Sequence, residues 1–389
     1  MGSDELARAL SALPSDLRAR LEAAGFHDAW LLEVASSLGG SAEEAASRRD
    51  ARNRVAGDVR APSFEELAHA PEAGSERRAR LEELGEEAIA RGELALCVMA
   101  GGMATRMGGV VKALVEALDG QTFLALRLAE NATWSARAGR PMPLWLMTSE
   151  ASDEPIAEAL LAARAPAHVA RFRQNLGLRL TPDGALFQQD DGGPSVYATG
   201  HGDLPDALRR SGLLDAFRRH GGKYVWIANL DNLGASVDAA LLGHFIEAER
   251  DVMVEVCEKA AGDRGGIPVH ALGKLQVLEE FRLPKGFDAA SVRVFNTNTF
   301  VTRADALATA DVKWTYFEVE KKVDGRPAIQ FERLLQELTS ALPSAYVTVP
   351  REGEASRFLP VKDFDELARR RGDIAAVARS RGMLRARPA

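Results

Sequence analysis

The rhythm of hydrophobic and polar positions changes once along the chain, near Leu94. Before that point, segments such as SDLRARLEAAG and SERRARLEELGEEAIARG space apolar residues three and four apart among charged ones, with almost no β-branched runs. That spacing predicts amphipathic helices. After it come short continuous apolar runs: LALCVMA, PLWLM, HVARF, KYVWIA, DVMVEV, VRVF and AYVTV. Between them, TFLALRLAENATWSARAG, EPIAEALLAARA, LPDALRRSGLLDAFRRHG, VDAALLGHFIEAER and AIQFERLLQELTSAL carry helical spacing. Strands and helices in alternation predict an α/β fold with a mixed, mainly parallel central sheet. The block LGKLQVLEEFRLP reads as a local antiparallel addition. Three parts follow: an α-helical N-terminal extension over residues 1–93, an α/β domain over 94–367, and a short helical tail over 368–389.

In a parallel sheet, ligands bind outside the carboxyl ends of the strands. Polar or glycine-rich groups follow nearly every apolar run: GGMATRMGG after LALCVMA, TSE after PLWLM, RQN after VARF, NLDNLG after KYVWIA, NTNT after VRVF, and the stretch ending in RFLPVK after AYVTV. Any one of these reads equally well as an ordinary polar loop. Six of them predict a common binding edge.

Composition narrows the class. The chain has 389 residues, 46% hydrophobic and 27% charged, enough for a full core. Its 49 Lys and Arg against 56 Asp and Glu, a net charge of -7, argue against a general affinity for nucleic acid or an anionic membrane. No stretch approaches the roughly 20 apolar residues of a membrane span, and the opening MGSDELARALSALPSDLRARL has no signal-type apolar core. Cys97 and Cys257 each sit inside an apolar run, which predicts neither a disulfide nor a cysteine metal site. A cytoplasmic location is the default expectation.

The candidate chemistry lies in the strand-exit segments. Gly101, Gly102, Gly108 and Gly109 would let backbone N–H groups approach a phosphate, with Arg106 adding a fork of donors and Lys112 a point charge. The spacing is neither that of a dinucleotide fold nor that of a P-loop; a plain turn with solvated charges is the alternative. Asn229, Asp231 and Asn232 follow KYVWIA, where a carboxylate suits a divalent cation, or where an Asx turn opens a helix. His201, between Gly200 and Gly202, is either a donor to a phosphate or ribose or a locally packed helix-entry residue. Phe295 and Asn296 begin FNTN, which suits hydroxyl recognition or a turn; Gly266 and Glu279 carry similar alternatives, as do Arg357 and Lys362 around FLPV. No Ser-His-Asp or Cys-His arrangement is present.

Taken in order, AGGMATRMGGVVKAL, TGHGDLPDALRRSGLLDAF, KYVWIANLDNLGASVD, GKLQVLEE, FNTNTF and SRFLPVK resemble the UTP:glucose-1-phosphate uridylyltransferases, or UDP-glucose pyrophosphorylases, with the UDP-N-acetylhexosamine pyrophosphorylases as more distant cousins. The resemblance runs from residue 94 to about 367. It implies a Rossmann-like nucleotidyltransferase fold and a magnesium-dependent reaction of UTP with a sugar 1-phosphate. By position it implies nucleotide contacts at Gly101, Gly102, Gln174, Gly200, His201 and Asn229, Gln174 helping to read uracil. Asp231 matches the position of the metal and phosphates. Gly266, Glu279, Phe295 and Asn296 resemble the sugar pocket, while Lys112 and Lys362 match lysines of the phosphate site. Ala104 and Val111 stand where eukaryotic members have Gly and Pro, and YATGHGD replaces PPGHGD. The long C-terminal β-helix of those members has no counterpart after RFLPVK. Glucose 1-phosphate is the expected acceptor; N-acetylglucosamine or galactose 1-phosphate, or a non-catalytic nucleotide-sugar binding protein, are the alternatives. The assembly state stays open, a monomer among the options.

Overall fold

The computed structural model describes residues 3–104, 107–260 and 262–384. Eight strands form its central sheet: β1 (Ala68–His69), β2 (Leu94–Met99), β3 (Leu144–Thr148), β4 (Val169–Arg173), β5 (Tyr224–Asn229), β6 (Val252–Glu258), β7 (Val294–Arg303) and β8 (Ser344–Thr348). Their order is β1-β8-β6-β7-β5-β2-β3-β4. All neighbours pair in parallel except β7, which runs antiparallel to both β5 and β6. Every residue of β2 and β3 is buried, as the continuous apolar runs LALCVM and LWLMT require of strands covered on both faces.

Two sequence readings change here. VRVF is not a strand that ends before NTNT; the strand continues through FNTNTF to Arg303, in the reverse direction. Because β7 is reversed, its beginning lies at the edge where its parallel neighbours end, so Phe295 and Asn296 still reach the common edge. The register against β6 jumps between Val254↔Phe300 and Val256↔Asn296, leaving residues 297–299 as a bulge. Asn298 takes a φ of 60° there, a left-handed conformation that Asn tolerates better than branched residues. Thr297 Oγ1 donates to the Glu255 carbonyl at 3.0 Å, restoring a partner that the broken ladder removes.

Likewise AIQFERLLQELTSAL is not one helix. Its first part belongs to a strand, Arg326–Glu332, paired antiparallel with Phe317–Val323. Ala328, Ile329, Gln330 and Phe331 are buried in succession, as in a strand covered on both faces and unlike a helix with one apolar stripe. Only a short turn at Leu335–Glu337 and a helix at Leu338–Ala341 follow. The antiparallel addition forms a hairpin of Ile267–Ala271 and Lys274–Leu278, whose two ends carry Gly266 and Glu279.

Residues before Leu94 supply helices at Ser3–Ser11, Ser15–Ala23, Asp28–Ala35 and Ala42–Asn53, followed by the short strands Val59–Arg60 and β1 and by helix α1 (Glu76–Ala90). The first helices build a second core, in which Leu10, Leu21, Phe26 and Leu31 pack with Leu178, Leu180, Ile329 and Phe331. They thereby brace the segment after Gln174. Helix α2 (Phe123–Ala138) starts on Thr122, whose Oγ1 accepts from Ala125 N, and stops at Gly139 with φ 64°. Helix α3 (Ala239–Ala248) is capped by Asp238, and helix α4 (Phe364–Ser380) by Asp363. Among the described residues no helix is long and apolar enough to cross a membrane.

Helices α1 and α3 cross with their backbones in contact. A Cβ on Gly243 would meet the backbone of Leu81, and one on Gly85 would meet the backbone of Ala239. This crossing fixes the start of α3, immediately after the loop that carries Asp231. Gly243→Ala should therefore destabilise the fold by about 2 kcal/mol, within the usual overpacking range and against the intrinsic gain of Ala in a helix. Urea unfolding measures it; an unchanged or raised midpoint contradicts the close crossing.

Candidate active site

The six strand-exit segments converge. Ala100 N donates to Met147 O at 2.8 Å, Gln174 N to Thr148 O at 2.8 Å, Leu230 N to Met99 O at 3.2 Å and Val349 N to Val256 O at 2.8 Å, tying neighbouring exits to one another.

The glycine-rich loop folds back as a small hairpin in which Met103 pairs with Val111 and Ala104 with Val110. Gly108 and Gly109 make its turn at φ 85° and 75°, a region that L side chains avoid. Ala104 and Val111 are buried in this hairpin. Arg106 lies outside the described residues. Lys112 N donates to the Gly102 carbonyl at 3.2 Å, and the Lys112 ammonium meets the Asp231 carboxylate at 2.5 Å. Two sequence candidates 119 positions apart thus form one ion pair, part-buried at the end of β5.

On the other flank, the Gln174 amide donates to the Gly200 carbonyl at 3.1 Å. A Cβ on Gly101 would lie 2.5 Å from Gln174 Oε1, so the glycine is what admits this amide to the strand exit. Gly200 has φ 100°, and a Cβ there would lie 2.5 Å from the Arg333 carbonyl. His201 Nδ1 accepts from Leu335 N at 3.0 Å. With Nδ1 an acceptor, the neutral ring carries its proton on Nε2, and burial pushes its pKa down to about 4. The bond from Leu335 N anchors His201 locally, as the packed helix-entry alternative expects.

Towards the sugar-type candidates, Asn229 Oδ1 accepts from Asn298 Nδ2 at 3.1 Å, and Asn296 Oδ1 accepts from Asn298 N at 2.9 Å. Asn296 N donates to the Gly266 carbonyl at 2.7 Å. Phe295 packs edge-on against Phe358 with ring centres 5.0 Å apart. Glu279 Oε1 accepts from Gln336 Nε2 at 2.5 Å, and burial raises the Glu279 carboxyl above its ordinary range. Lys362 is exposed, its backbone N–H bonded to Glu366 Oε2 at 2.8 Å; the Asp263 carboxyl is held low against its burial by the Arg351 hydrogen bond first and by the Lys362 charge last.

Beneath these residues lies a charged layer of which the motifs marked only Arg357, in SRFLPVK, and Asn232, in NLDNLG. Arg127 is fully buried, donating to Glu130 at 2.7 Å and to the carbonyls of Asn229 and Asn232 at 2.9 and 2.6 Å. Glu130 in turn accepts from Val237 N at 2.8 Å. Arg357 grips both oxygens of Glu255 at 2.7 Å and donates to the Ser236 carbonyl at 2.7 Å. Asn232 joins the two systems, donating to the Arg357 carbonyl at 3.0 Å and accepting from Leu359 N at 2.7 Å. The detectable signal was a charge inside an apolar pattern: Glu255 in VMVEV, and Arg127 with Glu130 in LALRLAEN.

A sequence profile of the UTP–glucose-1-phosphate uridylyltransferase family matches residues 58–386. The chain is 32% identical over 298 residues to the UTP–glucose-1-phosphate uridylyltransferase of Solanum tuberosum, covering 72% of this chain and 62% of that protein. It is 29% identical over 302 residues to the enzyme of that name from Saccharomyces cerevisiae, covering 72% and 60%. The chain thus spans under two thirds of the length of these relatives. Among solved structures, a UDP-glucose pyrophosphorylase variant from Leishmania major superposes with a TM-score of 0.67 at 23% identity, over 81% of this chain and 71% of that one. The uridine diphosphate N-acetylglucosamine pyrophosphorylase of Trypanosoma brucei gives 0.69 at 21% identity, over 92% and 84%. At these identities the two structures speak for the fold.

Two outcomes follow from the geometry. Glu255→Gln leaves Arg357 a buried cation without its counter-ion and should cost about 3–5 kcal/mol, whereas the double change Glu255→Leu with Arg357→Met should cost much less. Equal losses in urea unfolding contradict the pairing. His201, neutral in the fold at about pKa 4 against an ordinary 6.5, binds more protons when unfolded. Its share of stability is therefore complete above pH 6.5 and lost as pH falls towards 4, by roughly 3 kcal/mol. His201→Asn should flatten the pH–stability curve in that window; an identical slope contradicts the assignment.

Proposed function

The chain belongs to the UTP–glucose-1-phosphate uridylyltransferase family, and on that premise we propose that it transfers the uridylyl group of UTP to glucose 1-phosphate, giving UDP-glucose and pyrophosphate. The observation that carries the reading is the Lys112–Asp231 pair, which sets a cation and a carboxylate against each other where the glycine-rich hairpin meets the end of β5. An incoming triphosphate competes for the Lys112 ammonium and leaves the Asp231 carboxylate open to a counter-ion.

Among the described residues no three His, Cys, Asp or Glu gather into a metal cage. A single carboxylate fits a magnesium ion that completes its shell with substrate phosphates and water. Asp231 would hold it, with Asn229 beside it, and the ion when bound neutralises triphosphate charge. The rest of the chemistry asks for position. The second pKa of a phosphate monoester lies near about 6, so the attacking oxygen of glucose 1-phosphate is already an anion at neutral pH. No proton has to be removed. That oxygen forms a bond to the α-phosphorus of UTP as the bond from the α-phosphorus to the bridging oxygen breaks, and the electron pair leaves with pyrophosphate. Lys112 steadies the phosphates from the hairpin, and Lys362 approaches from the opposite loop. Gln174, fixed on the Gly200 carbonyl, bounds the base. His201 offers a neutral Nε2–H, and Glu279 with Asn296 accepts from sugar hydroxyls.

Pyrophosphate release, measured over nucleoside triphosphates and sugar 1-phosphates with magnesium, tests the reading. UTP with glucose 1-phosphate should be the preferred pair; equal turnover of ATP and UTP contradicts it. Asp231→Asn should lower activity by about tenfold or more and move the magnesium titration to higher concentrations, because a neutral ligand holds the ion less well. Superimposable titrations reject the carboxylate's role.

A further inference from the structure

Residues 333–337 join the two halves of the site. On the nucleotide side, the Arg333 carbonyl accepts from Gly202 N at 3.0 Å and Arg333 N donates to the Thr199 carbonyl at 2.8 Å. The Arg333 guanidinium grips Asp203 Oδ1 at 2.7 and 3.0 Å, and Leu335 N donates to His201. On the other side, Glu337 Oε1 accepts from Arg282 Nη1 at 3.3 Å and from Thr315 N at 3.1 Å. Between them stands Gln336, 2% exposed, whose amide donates to Glu279.

Gln336 starts from a fixed point. Its carbonyl accepts from Thr339 Oγ1 at 2.6 Å, and that oxygen accepts from Val277 N at 2.9 Å, on the hairpin that leads to Glu279. A Cβ on Gly266 would lie 3.2 Å from Glu279 Oε1 and 3.7 Å from Gln336 Nε2, so the three residues form one wall. Among the described residues Gln336 Oε1 is buried without a hydrogen-bond partner. Native proteins pair nearly all such groups, and an acceptor left over beside a hydroxyl-reading carboxylate suits a donor brought by a ligand.

We infer that Gln336 is a positioning residue for the sugar, holding the Glu279 carboxylate in place to accept from hexose hydroxyls; this rests on the transfer reading above. Glu279 is raised first by burial and then by Glu280, while Arg282 and the Gly266 backbone oppose them together with Gln336. The Gln336 donor therefore favours the form of Glu279 that accepts hydrogen bonds. Attachment of the same turn to His201 makes the sugar wall move with the nucleotide wall.

Initial-rate kinetics of Gln336→Ala and Gln336→Glu, with each substrate varied, decide the matter. Gln336→Ala should raise the KM for glucose 1-phosphate about tenfold and leave the KM for UTP within about twofold, the pattern of a lost contact to one substrate. Gln336→Glu sets a second carboxyl against Glu279, so the pair shares a proton and repels once it is lost. Its sugar KM, as a ratio to wild type, should approach one at low pH and climb as pH rises. An unchanged sugar KM in Gln336→Ala, or both KM values and kcat shifting together with no pH trend in Gln336→Glu, overturns the role. Absence of pyrophosphate release by the wild type with every sugar phosphate instead overturns the transfer reading itself, and the Gln336 role with it.

Discussion

Two fully buried arginines hold the ends of the central strands in shape. Arg127 and Arg357 lie under the carboxyl edge of the sheet, each against a buried carboxylate, and each turns further donors to the carbonyls of Asn229, Asn232 and Ser236, although Arg127 Nε and Arg357 Nη1 are buried without a partner among the described residues. Burying such ions costs several kcal/mol each, and an apolar core of the same volume is often as stable. What the apolar core lacks is the ability to satisfy backbone groups turned away from the ladder. Loops that present polar side chains to a ligand leave carbonyls facing inward, and a guanidinium with five donors can collect several at once. Asn232 ties the Arg127 system to the Arg357 system, so the loop bearing Asp231 and the loop leading to Lys362 share one foundation.

That foundation shows how an acidic protein can accommodate the proposed reaction between polyanions. The net charge is -7, yet the positive groups near the strand exits are placed one at a time and partly spent on neighbours. Lys112 is matched to Asp231, and Arg333 to Asp203 and Asp206. Cations already paired keep a binding surface ordered between turnovers, and an exchange of partner asks for less rearrangement than the collapse of a solvated loop. The bulge in β7 works in the same direction, because its left-handed Asn298 sets its side-chain amide on Asn229 and its backbone N–H on Asn296, linking the two strand exits.

Much of this was legible in the sequence because it rests on local patterns. Continuous apolar runs marked the parallel strands, and the polar groups after them marked the edge. Gly101, Gln174, Gly200, Asn229, Asp231 and Asn296 all stand at or beside strand exits. The reversal of β7 was not legible, since the apolar and polar pattern of FNTNTF is the same in either direction and only its pairing with β5 and β6 sets the sense. The strand at Arg326–Glu332 was hidden because IQFERLLQEL satisfies a helical spacing as well as an alternating one, and the partner that arbitrates, Phe317–Val323, is a mostly polar sequence. Gln336 escaped for a related reason: an amide in a short turn carries no signature until Glu279, 57 positions earlier, is placed against it. The buried pairs left a fainter trace, a lone charge within an apolar stretch, which becomes informative only when its partner is known.

On these contacts the buried charged layer holds the site loops and contributes little to the stability of the fold as a whole. Hydrogen exchange on the double variant Arg127→Met with Glu130→Met tests it most directly, since two methionines fill the space while leaving the Asn229 and Asn232 carbonyls without their donor and Val237 N without its acceptor. Residues 229–237 and 356–362 should lose protection together, while β2, β3 and β5 keep theirs. Protection unchanged in both loops, or lost evenly across the chain, contradicts the account.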